Sequence, residues 1–524
     1  MERVTSLKQK FDVTIVGQGP VGSMLAILLG EKGYRVGVFE RWPNFYPLPR
    51  AIIYDSEIAR MLRIVCDHEK LEQISENIYD KYQWKNALGE VLLTLERPEK
   101  GASGLPNFNF FNQPDLEKIL DEACRNIPSV EIFRGYEAVD IFEQEDSVEL
   151  IVENESGEQR SFSSTYLVGC DGANSIVRKK LDTTFTDLGS EYTWLVVDII
   201  PHDKRKMEPS FWQLCNPERP TTILPGGPGR RRWEFMALPG ENPDELNTEE
   251  TTWELLKPWG YTKDNCELVR HAVYTFRGAW AETWRRGRVM IAGDAAHLTP
   301  PFLGQGLGSG FRDVWNLAWK LDLVLQNKSM EDILEYYTEE RNLNVQSYIH
   351  MGVELSKMIC ITDPMEAAKR DEAFLSGNVD SFPDFPHLTT GILYNYSDQA
   401  ECLTGRLSVQ GVVKRDGKIG LLDDLIGTGW TVLSVNKNPK SYLSSEQIQF
   451  LESIGTHFVE ITNNPTNINS YYDVNGTYEE YFNSNKIEVV ITRPDFYVFG
   501  AASRVEDLSQ MVASLQKQVD YNSL

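Results

Sequence analysis

Residues 12–40, DVTIVGQGPVGSMLAILLGEKGYRVGVFE, decide the fold. Asp12–Val16 is a short apolar run of the kind a buried strand carries, and Gly17-Gln18-Gly19-Pro20-Val21-Gly22 follows it without a spacer. Met24 to Leu29 continues as a helical apolar run closed by Gly33, and Arg35–Phe39 is a second strand ending in Glu40. Strand, glycine turn, helix and strand within about 30 residues make a βαβ unit. The glycines allow a tight turn and let backbone N–H groups approach a pyrophosphate, while the helix N-terminus favours negative charge. Glu40 is placed to accept hydrogen bonds from a ribose diol. The segment predicts an α/β protein that binds a dinucleotide.

The rest of the chain is consistent with a large globular protein. It has 524 residues, about three domains at roughly 100–200 residues each. Hydrophobic residues make up 41%, enough for a core, so disorder and fibrous classes are excluded. The 77 acidic against 52 basic side chains leave a net charge of −25, which disfavours nucleic acid and anionic lipid as partners. Met1–Lys10 has no apolar core of a signal peptide, and Val13–Leu29 is interrupted by Gln18, Pro20 and glycines, unlike a membrane span. The scattered cysteines (66, 124, 170, 215, 266, 360 and 402) form no CxxC pair and have no histidine at metal spacing. They read as reduced thiols, and the expectation is a cytoplasmic protein without a metal.

Two more motifs sit at strand ends. Cys170-Asp171-Gly172-Ala173-Asn174-Ser175-x-x-Arg178 follows the strand Tyr166–Gly169. Gly287-Arg288-Val289-Met290-Ile291-Ala292-Gly293-Asp294 leads into Pro300-Pro301-Phe302-Leu303-Gly304-Gln305-Gly306-Leu307-Gly308 and a helix from Gly310 to Gln326. A carboxylate at a strand end before a glycine-rich helix start can hold polyol oxygens and an electron-rich ring edge. Between Tyr192 and Phe276 the chain is rich in strands and aromatics, Ser381–Pro386 marks a boundary, and a small α/β module follows.

In this order the motifs resemble the FAD-dependent, single-component (group A) aromatic hydroxylases, in particular their 3-(3-hydroxyphenyl)propionate hydroxylase-like branch. Tyr46-Pro-Leu-Pro-Arg50, Phe111-Asn-Gln113-Pro, Arg219-Pro-Thr-Thr, Arg230-Arg-Arg-Trp-Glu-Phe-Met236, Leu421-Leu-Asp-Asp424 and Arg493-Pro-Asp-x-Tyr497 extend the resemblance over almost the whole chain. It implies a Rossmann-like FAD-binding domain split over residues 1–80, 113–182 and 281–395. Residues 81–112 would lend strands to a β-rich substrate domain at 183–280, and 396–524 would form a thioredoxin-like module. Lacking CxxC, that module cannot do dithiol chemistry, and its implied role is structural, with dimer contacts. The resemblance places Gly17, Gly19 and Gly22 at the FAD pyrophosphate and Glu40 at the adenosine ribose. Arg41, Arg50 and Gln113 would lie along the cofactor, Asp171 near its pyrophosphate and the nicotinamide route, and Gly293 with Asp294 at the ribityl chain. Pro301 would face the reacting side of the flavin, with Gly304, Gly306, Leu307 and Gly308 at its pyrimidine edge.

The implied reaction uses NADH or NADPH to reduce FAD, captures O₂ as a flavin hydroperoxide and transfers one oxygen to a small aromatic ring. A side chain that draws off a phenolic proton would enrich that ring in electrons. Asp55, Tyr54, Gln213, His271 and Arg277 are the candidates; Asp55 also suits a helix N-cap before Ser56-Glu57-Ile58. Trp194, Phe211, Trp212, Trp233 and Phe235 are candidates for the pocket wall, and Arg230–Arg232 for binding an anionic substrate tail or nicotinamide phosphate, or for a solvated hairpin tip. Where the branch has His-x-Asp, this chain has Ile53-Tyr54-Asp55, which removes a polar group from the substrate side. A halogenase is disfavoured because Trp315-Asn-Leu-Ala-Trp319 lacks WxWxIP. Two rivals stand: a tailoring monooxygenase of hydroxylating, epoxidising or Baeyer–Villiger type on a polyketide or alkaloid, and a non-catalytic FAD-binding protein.

Overall fold

The strand Lys10–Val16 lies in the middle of a parallel array whose order is Val289–Ile291, Gln159–Gly169, Lys10–Val16, Val36–Glu40 and Val130–Arg134. This computed structural model describes residues 10–45, 50–78, 81–95, 98–203, 210–379, 385–394, 403–464 and 470–519. Tyr46–Pro49, Ser381–Asp384 and Cys402 therefore lie outside the described residues. The inner strands of this array are largely buried on both faces, as in other covered parallel sheets, while the edge strand Val130–Arg134 is mostly half-exposed. Helices Pro20–Gly30 and Gln113–Arg125 cover one part of it, and the buried helix Gly306–Leu325 packs beside Pro20–Gly30. That last helix starts at Gly306, four residues before its sequence pattern predicts. Glycine there is a packing requirement rather than a break, since a Cβ at Gly310 would stand 2.5 Å from Val21.

A second, seven-stranded sheet has the order Cys266–Phe276, Tyr192–Pro201, Arg231–Met236, Thr221–Pro225, Trp212–Leu214, Tyr82–Lys85 and Val91–Leu95. Its outer face is apolar: Leu195, Val197, Ile199, Ile223, Trp233 and Phe235 pack against the helices Pro243–Leu246 and Glu249–Leu256. Its inner face is turned to the nucleotide-binding half, where Trp194 meets Phe302 edge-on at 5.8 Å. On the same side, Leu224 and Phe211 pack with Ile52, Ile53 and Phe110.

The C-terminal module is a mixed sheet in which Thr431–Val435, His457–Thr462 and Tyr471–Asp473 run parallel. Val489–Thr492 and Val498–Ala502 add antiparallel strands, flanked by the helices Ser445–Ser453 and Leu508–Val519. One hydrophobic core runs from the nucleotide sheet through Trp315 and Trp319 into Trp430 and Phe499 of this module.

Candidate active site

The glycine turn shows why small residues are required. Gly17 has φ +100°, and a Cβ there would stand 2.4 Å from the Cys170 carbonyl oxygen. A Cβ at Gly22 would stand 2.0 Å from the Gly17 carbonyl oxygen. The first and second motifs are thus in backbone contact. Gly19 differs, because nothing lies within 4 Å of its missing Cβ, which leaves an open cradle at the start of Pro20–Gly30. Glu40 borders it: its carboxylate accepts the Gln18 N–H and the Trp42 N–H, each at 2.9 Å.

Further along, the Gln113 amide oxygen accepts the Ala51 N–H and its nitrogen donates to Glu117, both at 2.7 Å. Burial pushes the Glu117 carboxyl up, against the Gln113 hydrogen bond and the nearby Arg50. The Arg50 side chain is exposed, while its carbonyl accepts from Arg232 at 2.8 Å. Arg41 is half-exposed beside Glu137 and Trp42.

Ser175 caps the helix Ile176–Leu181, and Asp171 supports that start by accepting from the Ser175 hydroxyl at 2.5 Å and the Ile176 N–H at 2.7 Å. Burial pushes its carboxyl up despite these bonds. Arg178 donates to the Ala295 carbonyl at 2.8 Å and to that of Ala173 at 2.6 Å, tying the second motif to the third. In the third motif Gly293 has φ +61° and Asp294 is exposed. Buried Asp313 positions this turn by accepting the Gly293 N–H at 3.0 Å, His297 at 2.8 Å and Arg341 at 2.9 Å. His297 is consequently part of the scaffold.

Pro301–Leu303 forms a short turn, and Gly304 takes φ +65° with its missing Cβ 2.7 Å from Ile53. Gly306 opens onto free space at the N-terminus of Gly306–Leu325. Helix N-termini suit the negative charge that reduced flavin carries at its pyrimidine edge. The cradles at Gly19 and Gly306, with Glu40 and Asp294 at the two strand ends, fit the pyrophosphate, ring edge and sugar oxygens of FAD.

Asp55 and Tyr54 lie beside this helix start, but their polar atoms are engaged. One Asp55 oxygen caps Ser56–Val65 by accepting the Glu57 and Ile58 N–H groups at 3.0 Å, and the other accepts from Arg312 at 2.7 Å. Burial raises the Asp55 carboxyl, yet Arg312 and the Ile58 N–H outweigh it and hold the group below the usual carboxylate range. Arg312 also bonds Glu57 at 2.7 Å and Gln305 at 2.8 Å. Tyr54 is hydrogen-bonded to Ser75 at 2.6 Å, and burial pushes its hydroxyl up to about 12.

Two candidates are not brought to this site. His271 pairs with Val197, so it stands on the outer face of the sheet, where its ring meets Asn247 at 3.1 Å. Arg277 is half-exposed and ion-paired with Glu191 at 2.5 Å. Strand parity also corrects the pocket wall: Trp194 and Phe211 face inward, but Trp233 and Phe235 belong to the outer core. Arg231 and Arg232 are buried, not at a solvated tip. The inner face instead presents Gln213, Thr222, Arg232, Glu234 and Asp198, placed by the registers Gln213↔Thr222, Thr222↔Glu234 and Asp198↔Arg232. Glu234 was legible only as the polar half of a period-2 alternation with Trp233 and Phe235.

A sheet with a dinucleotide cradle, closed against a second, mostly antiparallel sheet through Trp194, Phe302 and the Ile52–Phe110–Phe211 cluster, fits a FAD-dependent monooxygenase. A family model described as FAD binding domain matches residues 10–351, and one described as HcaD C-terminal domain matches 405–518. The chain belongs to the family of FAD-dependent aromatic hydroxylases. It is 34% identical to a Rhodococcus jostii (strain RHA1) protein named "Probable NADH-specific resorcinol 4-hydroxylase", covering 97% of this chain and 95% of that one. It is 29% identical to the 3-(3-hydroxy-phenyl)propionate/3-hydroxycinnamic acid hydroxylase of Escherichia coli (strain SMS-3-5 / SECEC), covering 95% and 93%. Among solved structures, aklavinone-11 hydroxylase with FAD and aklavinone has a TM-score of 0.77 at 21% identity, covering 97% of this chain and 99% of that one. The likeness to that structure is one of fold. Among the described residues no helix is long and apolar enough to cross a membrane.

Proposed function

We propose that this enzyme hydroxylates a small phenol of the resorcinol type, with NADH as reductant and O₂ as oxidant. The observation that carries the reading is the inner sheet face, where aromatic residues and buried polar groups are closed against the loop Pro301–Leu303. The similarity to the resorcinol 4-hydroxylase-named relative over nearly the full chain supports it. Ile53, packed at Gly304, gives the pocket an apolar floor that suits a bare ring better than a carboxylated side chain.

FAD, when bound, supplies reducing equivalents and activates oxygen. The rest is the chain's work. Gly17, Gly19 and Gly22 seat the pyrophosphate, Glu40 and Asp294 take the sugar and ribityl oxygens, and Pro301 with the N–H groups from Gly304 to Gly308 borders the ring. Arg41, Arg50, Gln113 and Asp171 lie along the cofactor's length. Asp55 serves as a positioning residue through Arg312. The aromatic wall orients the substrate and excludes water, which limits wasteful breakdown. The sheet Cys266–Phe276 to Val91–Leu95 acts as the substrate domain and the C-terminal module as a structural appendage with dimer contacts. The working location is the cytoplasm.

The test is direct. The purified protein should be yellow, and resorcinol should accelerate its NADH oxidation while mass spectrometry detects a product one oxygen heavier. A colourless protein that takes up no FAD, or NADH oxidation indifferent to every phenol and polycyclic aromatic tried, would sink the proposal. Gel filtration separates monomer from dimer.

A further inference from the structure

Glu234 is a buried carboxylate whose hydrogen-bonding capacity is unused. It is 9% exposed, accepts no hydrogen bond among the described residues, and has Arg232 Nη1 at 3.7 Å as its nearest cation. The side chain keeps 12% of its surface accessible, so the carboxylate is open to whatever occupies the inner face of the sheet. Its neighbours are already engaged with one another. Asp198 accepts from Arg232 at 2.7 and 3.1 Å and from Arg270 at 2.8 Å, and Arg270 also reaches the Tyr274 hydroxyl at 3.1 Å. The charges of these buried groups balance only when Glu234 is ionised, because two guanidinium groups face Asp198 and Glu234.

Its position is fixed by register. Glu234 pairs with Val196 on one side and Thr222 on the other, on the inner face that also carries Trp194 and Leu224. Trp194 touches Phe302, next to Pro301, and Leu224 packs against the cluster of Ile52, Phe110 and Phe211, which Ile53 also joins beside Gly304. The carboxylate therefore stands between the two contacts that close the sheet onto the flavin loop. Gln213 and Thr222 are bonded to each other at 2.7 Å beside it.

Resting on the reading as a phenol hydroxylase, we propose that Glu234 is the catalytic proton acceptor for the substrate hydroxyl. The phenolic O–H bond breaks as a Glu234 O–H bond forms, and the ring gains electron density for attack on the oxygen to be transferred. The proton held by Glu234 returns to the same substrate oxygen as the hydroxylated ring carbon releases its hydrogen as a proton to water, and aromaticity is restored. Burial pushes the Glu234 carboxyl up, with Arg232 opposing and Asp198 adding to the shift, which brings it nearer to a phenol's own ionisation. Arg232, Asp198, Arg270 and Tyr274 are the charged and titratable groups that face it.

The experiment compares wild-type, Glu234→Gln and Glu234→Asp holoenzymes with resorcinol. It follows flavin-monitored binding, NADH oxidation, product by mass spectrometry and the pH profile of kcat/KM. Glu234→Gln should keep its FAD and bind resorcinol. Its hydroxylation should fall by about 10² to 10⁴, the range of a lost proton acceptor, with NADH diverted to peroxide and the acid limb of the profile lost. Glu234→Asp should recover part of the coupling, and it carries the test if the glutamine variant does not fold. Product formation by Glu234→Gln within threefold of wild type, with an unchanged acid limb, would overturn the assignment while leaving the phenol reading intact. Wild-type holoenzyme that neither binds nor hydroxylates any phenol would overturn both.

Discussion

At the scale of single residues, the start of the helix Gly306–Leu325 is fixed by charges that hold one another. Arg312 bridges Asp55, Glu57 and Gln305, and Tyr497 donates to Glu57 at 2.9 Å. Removing the guanidinium leaves two carboxylates buried without their cation, so Arg312→Ala should cost about 3–5 kcal/mol of stability. Thermal unfolding of the holoenzyme reads this loss; an unchanged melting temperature would show that the cluster does not hold the helix start. Arg312→Lys should rescue little, since an ammonium cannot span three partners as a planar fork does. Little of this was legible in the sequence. Asp55 could be recognised as an N-cap because Ser56-Glu57-Ile58 follows it directly, whereas its partner Arg312 is remote in the chain. His271 was misplaced for a related reason: a strand's composition does not say which face meets the cofactor, and parity acquires meaning only once Asp198 is paired with Arg232.

At the scale of elements, the strand–turn–helix unit was readable because its constraints are local. The pairing of Val16 with both Phe39 and Gly169 brings the glycine turn, Glu40 and the second motif to one edge. The three glycines of the turn nevertheless do different work, which spacing alone does not disclose. Gly22→Ala must move backbone, because its Cβ would meet the Gly17 carbonyl at 2.0 Å. It should destabilise even the FAD-free protein, by roughly 1–3 kcal/mol or more. Gly19→Ala meets no protein atom within 4 Å, so the FAD-free form should melt as wild type does while FAD affinity falls. Flavin-to-protein ratio and melting temperature, measured together, distinguish the two. Equal damage to the FAD-free fold by both substitutions would refute the open cradle. The inner face of the second sheet was less legible, because Tyr82–Lys85 joins it in parallel beside Trp212–Leu214 across a long stretch of chain.

At the scale of the whole molecule, the C-terminal module is bound to the FAD-binding part by a buried ionic cluster rather than resting on it. Glu340 accepts from Arg493 at 2.9 and 2.6 Å and from Lys320 at 2.8 Å, and Arg493 also bonds Asp495 at 2.7 Å. Asn316 and Trp319, on the helix that begins at Gly306, donate to the same Asp495. The helix whose start forms the proposed flavin cradle is therefore gripped, farther along, by the appended module. The sequence showed Arg493-Pro-Asp as a motif but not its partner Glu340, because the two are 153 residues apart in the chain. Burial raises the Glu340 carboxyl, but Arg493 and Lys320 outweigh it and lower it to about 2 from the usual 4.5. A carboxylate lowered on folding contributes its stability above its unfolded value, and the contribution is lost as pH falls from about 4.5 towards 2. At about 1.4 kcal/mol per pH unit this single group accounts for roughly 3 kcal/mol across that window. Glu340→Gln should be less stable than wild type near neutrality and should lose less on acidification, so the two urea midpoints converge towards pH 2. Parallel acid curves for the two proteins would mean that other carboxylates, and not this junction, govern acid unfolding.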